Sequence, residues 1–224
     1  MNEKTKELWE SLHKNSRFRP KYPSEVVVRY VFRNFKRNGE EKILDLGCGA
    51  GRHVYFMAKE NIKVYGVDIS SSGIDYTKNV LENNGLEGDL KVGSMDNIPY
   101  CDETFDGLIN YGVLCYCDIK GASKTASEIY RVMKKGGKVL IVVRTTEDYR
   151  YGDGLEIEKN TFIINENDKN KCAFNENGMK MHFFDKDEIL NIFSDFSSIK
   201  IDKWDETIDN ESYKDSNFII QLVK

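Results

Sequence analysis

Short apolar runs recur along the middle of the chain at 42–46, 62–67, 90–92, 105–111 and 138–143. Apolar residues at helical spacing lie between members of this series, near 52–60, 71–84 and 121–133. Runs this short and this apolar predict strands buried on both faces, and their alternation with helices predicts a parallel sheet with both faces covered. Two more strands are expected at 198–204 and 217–223, joined by a connection short enough to make that pair antiparallel. The fold class is therefore α/β: a doubly wound, mostly parallel seven-stranded sheet with an antiparallel last strand and helices on both faces.

The rhythm breaks at both ends. Leu8 and Leu12 mark a helix over 3–15, and RFRPKYP (17–23), which holds two of the three prolines, reads as an extended strap. Ser24 is placed to cap a second helix in which Val27, Val31 and Phe35 recur up to Gly39. After Arg144, LEIEKNTFIIN and KCAFNENGMKMHFF predict two strands around the polar turn NENDKNK, a hairpin insertion. Asp185 and Glu188 have the spacing of a capping box for a helix over 185–195.

Composition narrows the class of partner. The 224 residues are 40% hydrophobic and 31% charged, the content of a folded protein. The net charge of -4 comes from mixed signs with no basic block, which argues against nucleic acid. The absence of an 18-residue apolar stretch argues against a membrane and for a cytoplasmic protein. The five cysteines fall at irregular spacing, which predicts reduced thiols and neither a disulfide framework nor a metal site.

The most informative stretch is ILDLGCGAG at 43–51, at the end of the first predicted strand. Glycine permits positive φ and close approach of backbone to a ligand, so Gly47, Gly49 and Gly51 can turn their amides toward a crevice. The helix that follows aims its N-terminus at the same place. Ligands of open α/β sheets bind where the strand order reverses. A dinucleotide site would need G-x-G-x-x-G, whereas residue 52 is Arg, which disfavours a nicotinamide-dependent oxidoreductase.

With Asp45 two residues ahead of the glycines, Asp68 ending VYGVDIS and GSMDNIPY after the third strand, the chain resembles the class I, Rossmann-like S-adenosylmethionine-dependent methyltransferases of the small-molecule type. FDGLINYGVLCY and RVMKKGGKVLI fit that family's fourth strand and fifth-strand turn, so the resemblance covers roughly 42–145. It implies S-adenosyl-L-methionine as cofactor, with contacts from Asp45, Gly47, Cys48, Gly49 and Gly51. It further implies that Asp68 accepts from the ribose hydroxyls, that Asp96 accepts from the adenine amino group, and that Met95 and Ile69 sandwich the ring. Asn110 would lie beside the transferred methyl, and an N-terminal lid would bring Tyr22 near the cofactor.

On this reading the chain is one methyltransferase domain. Its parts are N-terminal helices and lid (1–38), cofactor-binding core (39–145), an insertion forming the acceptor region (146–184), and a C-terminal helix and strand pair (185–224). The expected reaction moves a methyl group to oxygen or nitrogen of a small acceptor such as a sugar, a lipid or quinone precursor, or a natural product. The rival reading is a noncatalytic cofactor-binding module. Methyl transfer needs chiefly an aligned lone pair, and a base only where the acceptor must shed a proton. The candidate catalytic residues are His182 and Tyr111; for His182 the competing reading is packing between Met181 and Phe183. No metal is expected, and the protein would be a monomer or homodimer.

Overall fold

A computed structural model describes residues 3–224. The strands β1 (Lys42–Leu46), β2 (Lys63–Asp68), β3 (Asp89–Val92), β4 (Phe105–Tyr111), β5 (Met133–Arg144), β9 (Ser198–Ile208) and β10 (Tyr213–Val223) form one seven-stranded sheet. Its order is β3-β2-β1-β4-β5-β10-β9, with the first five strands parallel and β10 antiparallel to both of its neighbours. The order reverses between β1 and β4, so a crevice opens at the carboxyl ends of these strands.

Each face of the sheet is closed by a separate apolar cluster. On one side α2 (Glu25–Asn34), α3 (Arg52–Lys59) and α4 (Ser71–Asn83) pack Val27, Val31, Val54, Met57 and Ile74 onto Ile43, Ile109 and Leu140. Gly107 of β4 sits where any Cβ would run into the Phe35 ring, so the strand can pass beneath that ring only as glycine. On the other side α5 (Ile119–Val132) and α6 (Lys186–Ile192) bury Ile129, Val132 and Ile189 against Leu44, Leu108 and Ile141. Fully burying a side chain the size of Ile129 stabilises by about 1.5–3 kcal/mol. Caps fix where these helices begin. Asp118 accepts from the Gly121 amide at 2.9 Å, and Asp185 with Glu188 forms the expected capping box.

The structure extends several of the predicted elements. The last two strands run eleven residues each, because the polar stretch between them is itself paired and only a tight turn at Asp209, Asn210 and Glu211, all at positive φ, remains. In the insertion, LEIEKNTFIIN is not one strand but two, β6 (Gly154–Glu158) and β7 (Thr161–Ile164), and the pairing expected across NENDKNK is that of β7 with the antiparallel β8 (Lys180–His182). KCAF is not a strand but part of a short 3-10 helix, Cys172–Glu176. The second helix stops at Asn34, short of Gly39.

The amino-terminal helix α1 (Glu3–Lys14) lies against α4. Its Glu10 carboxylate accepts from the Ser72 amide at 3.2 Å and from the hydroxyls of Ser70, Ser71 and Ser72, so α1 is latched to the start of α4. A carboxylate at a helix N-terminus is also favoured by the helix dipole. These bonds, led by that of the Ser72 hydroxyl, lower the Glu10 pKa to about 2.

Candidate functional site

The turn after β1 is built by glycines in the left-handed region: Gly47, Gly49 and Gly51 have φ of 82°, 52° and 78°. A Cβ on Gly47 would collide with Val113, and one on Gly51 with Thr77. The loop is also tied to β2, since Gly47 and Cys48 donate to the Val67 carbonyl and Gly49 donates to Asp68 Oδ2 at 2.8 Å. Asp68 Oδ1 accepts from the Ser70 amide at 2.8 Å. Burial raises the Asp68 pKa, and nearby His13 and these amides oppose that rise.

A cavity of about 220 Å³ lies over this turn. Of the residues implied by the sequence, Gly47, Cys48, Gly49, Asp68, Ile69, Met95 and Tyr111 line it together. Asp96 lines an adjoining cavity with Tyr116 and Lys124. Gly51 and Asn110 stand behind the wall. Asn110 donates to the Leu46 carbonyl and accepts from the Leu114 amide, both at 3.1 Å, and so shapes the loop after β4.

Asp45 is buried beneath the cavity with Oδ2 unpaired, and burial raises its pKa to about 7 against the pull of Arg52. His53, 3.9 Å from that oxygen, is held neutral by burial at a pKa of about 3, so the contact is not an ion pair. Its Nε2 instead accepts from the Ser24 amide at 3.3 Å.

Two expected residues are elsewhere. Tyr22 is 74% exposed and does not line the cavity; Phe18 and Pro20 of the same strap do. His182 is fully buried in the small sheet, with Nδ1 2.7 Å from the Thr161 hydroxyl and its ring edge-on to Phe184. It lines no part of the cavity, because its strand β8 pairs with β7 and not with the main sheet.

The sequence predicts an N-terminal lid but not which residues of α1 form it. Trp9 and His13 of α1 line the cavity, and His13 is wedged between two glycines, its ring nitrogens about 3 Å from where Cβ atoms of Gly49 and Gly73 would stand. Burial lowers the His13 pKa, with Asp68 and Glu10 pulling the other way. Spacing of four residues puts Trp9 and His13 on one helix face, which was the available signal.

Residues 43–137 match the family model described as a methyltransferase domain. Fold, glycine turn and matched segment, which is less than half of the chain, make it similar to the class I, Rossmann-like methyltransferases, whose methyl donor is S-adenosylmethionine. An uncharacterised protein of Methanocaldococcus jannaschii is 26% identical over 88% of each chain. A demethylmenaquinone methyltransferase of Lactobacillus johnsonii is 31% identical over 50% of this chain and 47% of its own. The structure of a SAM-dependent methyltransferase from Methanosarcina mazei superposes with a TM-score of 0.69 at 22% identity, covering 87% of this chain and 96% of that one. The chain spans about a third to a half of the length of the named methyltransferases it matches.

The residues present fit the family's donor. Asp45 Oδ2, beneath the cavity floor, is an orphaned buried acceptor suited to an ammonium group, and Arg52 lines the cavity with a guanidinium suited to a carboxylate. The glycine turn leaves open the volume that Cβ atoms would fill. Among the described residues no group of metal-ligating side chains is assembled, and no helix is long and apolar enough to cross a membrane.

Proposed function

We propose that the protein transfers a methyl group from S-adenosylmethionine to oxygen or nitrogen of a small-molecule acceptor. The observation that carries this reading is the cavity that unites Gly47, Gly49, Asp68 and Met95 with Tyr111 at the end of β4. The bound donor supplies an electrophilic methyl on a sulfonium. Asp68 accepts from the ribose hydroxyls, and Ile69 and Met95 flank the adenine, with Asp96 taking its amino group. Asp45 and Arg52 hold the ammonium and carboxylate of the amino-acid end, and the amides of Gly47, Cys48 and Gly49 border it. Trp9 and His13 close the site from above and exclude water. Tyr111 and Gly112 form the wall past which the acceptor approaches, so its lone pair can be held in line with the bond that breaks.

The five cysteines are free thiols, three of them buried, which supports a cytoplasmic setting. We take the acceptor to be a small molecule rather than nucleic acid, and the protein to act as a monomer or homodimer.

Calorimetric titration with S-adenosylmethionine and S-adenosylhomocysteine, with NADH as control, tests the cofactor. Saturable binding of both sulfur ligands and none of NADH is expected. Failure of both to bind overturns the reading.

A further inference from the structure

The cofactor cavity ends at Tyr111 and Gly112, and a second chamber of about 200 Å³ begins at the same two residues. Its floor is the carboxyl end of the main sheet. Arg144, Asn217 and Trp204 stand side by side across β5, β10 and β9, and Asp215 is paired with Glu206 two positions along. Residues two apart on a strand share a face, so Val142 with Arg144, Asp215 with Asn217, and Trp204 with Glu206 all look out from one side, and all line the chamber.

Resting on the methyl-transfer reading, we propose that this chamber is the acceptor site and that the acceptor is a small organic amine. The charge balance selects it. The Arg144 guanidinium is surrounded by Asp148 at 3.3 Å, Glu176 at 3.5 Å and Asp215 at 3.7 Å, so its charge is already met. Arg150, buried behind, takes Asp148 at 3.0 Å, Glu176 at 2.7 Å and Asp215 at 2.6 Å. With Glu206 added, two guanidiniums stand against four carboxylates, and the chamber keeps an excess of negative charge. Glu206 is exposed and meets no donor among the described residues. Trp204 and Tyr111 add aromatic faces, which attract a cation and give an anion nothing. Arg52 lies 5.1 Å from the Tyr111 ring centre and belongs to the cofactor cavity.

The chemistry balances without a further reagent. The amine arrives as an ammonium and passes a proton to the Glu206 carboxylate, and from there to water. The freed nitrogen lone pair forms the N–CH3 bond as the S–CH3 bond breaks, and that bond's electron pair stays on sulfur. The positive charge moves from sulfur to the methylated nitrogen, toward the carboxylates.

The test supplies S-adenosylmethionine with a panel of primary amines that includes phenethylamine, and with 2-phenylethanol and phenylacetate as matched alcohol and acid. S-adenosylhomocysteine release and product mass are followed. N-methylation of an amine is expected, with neither matched compound turned over. Glu206→Gln and Trp204→Leu are each expected to lower kcat/KM for the amine about tenfold or more while S-adenosylhomocysteine affinity stays constant. Preference for the alcohol or the acid, cofactor binding with no amine methylated, or unchanged amine turnover in both variants overturns the amine assignment and leaves methyl transfer standing. Failure to bind S-adenosylhomocysteine in the wild type instead removes the methyl-transfer reading itself.

Discussion

The two chambers that meet at Tyr111 are built from different materials. The floor of the cofactor cavity is made of backbone: Gly47 and Gly49 at positive φ, amides tied to Val67 and Asp68, and the start of α3. The chamber on the far side is made of side chains, with Arg144 and Arg150 buried among Asp148, Glu176 and Asp215. A backbone site fixes one ligand shape whatever surrounds it, whereas a site of paired charges depends on every partner being present. Substitutions in the first region should therefore cost mainly ligand binding, and those in the second should cost the fold.

Arg150→Ala should show the largest effect. It removes one of the two guanidiniums that three carboxylates share and leaves them to Arg144 alone, and removing one partner of a buried pair costs about 3–5 kcal/mol. Urea unfolding measures it, and a loss below about 1 kcal/mol would mean that the network is solvated.

Gly47→Ala comes next, on the other side of the comparison. A left-handed alanine and the collision with Val113 together cost about 2–4 kcal/mol, and cofactor binding should vanish even where the protein stays folded. Calorimetry on the folded fraction distinguishes the two losses. Asp68→Ala should weaken S-adenosylhomocysteine binding by about 1.5–3 kcal/mol, the range for hydrogen bonds to a charged group. Unchanged affinity would place the ribose elsewhere.

Asp45 gives the comparison a pH axis. Its pKa is raised from 3.8 to about 7 by burial, so the folded state holds the proton more tightly and stability falls as pH rises through that interval. An ammonium beside Oδ2 favours the ionised form, so cofactor affinity should increase as pH rises toward and through about 7 and then level off. Asp45→Asn should flatten the profile, as calorimetry across pH would show. The smallest effect is expected at Tyr22: exposed and outside the cavity, it should change cofactor affinity by no more than about 0.5 kcal/mol when replaced by Ala. A large loss would mean that the strap folds inward on binding.

What was legible in the sequence follows the same division. The glycine turn, Asp68 and Met95 lie within or just after successive strands, so chain order alone brings them to one crevice. The capping box of Asp185 and Glu188 is equally local. His13 carried no such sign, because its surroundings, Gly49, Gly73 and Asp68, come from the turn after β1, from α4 and from β2. Trp204 and Asp215 sit in a polar stretch whose alternation is weak, and only the antiparallel register with β5 reveals that they face Arg144. His182 misled for the converse reason: its position near the end of the insertion suggested a return to the crevice, but its strand completes a separate small sheet and the ring is packed away.

The roof over the cofactor cavity comes from α1 and the strap behind it, while no described residue ahead of Tyr111 lines the second chamber. On the proposed reading the two ligands have separate doors. A methylated product departs across the β9–β10 face while Glu10 keeps α1 latched, and spent cofactor departs past α1 and the strap. Traffic through the site is then ordered by a helix that lies outside the acceptor chamber.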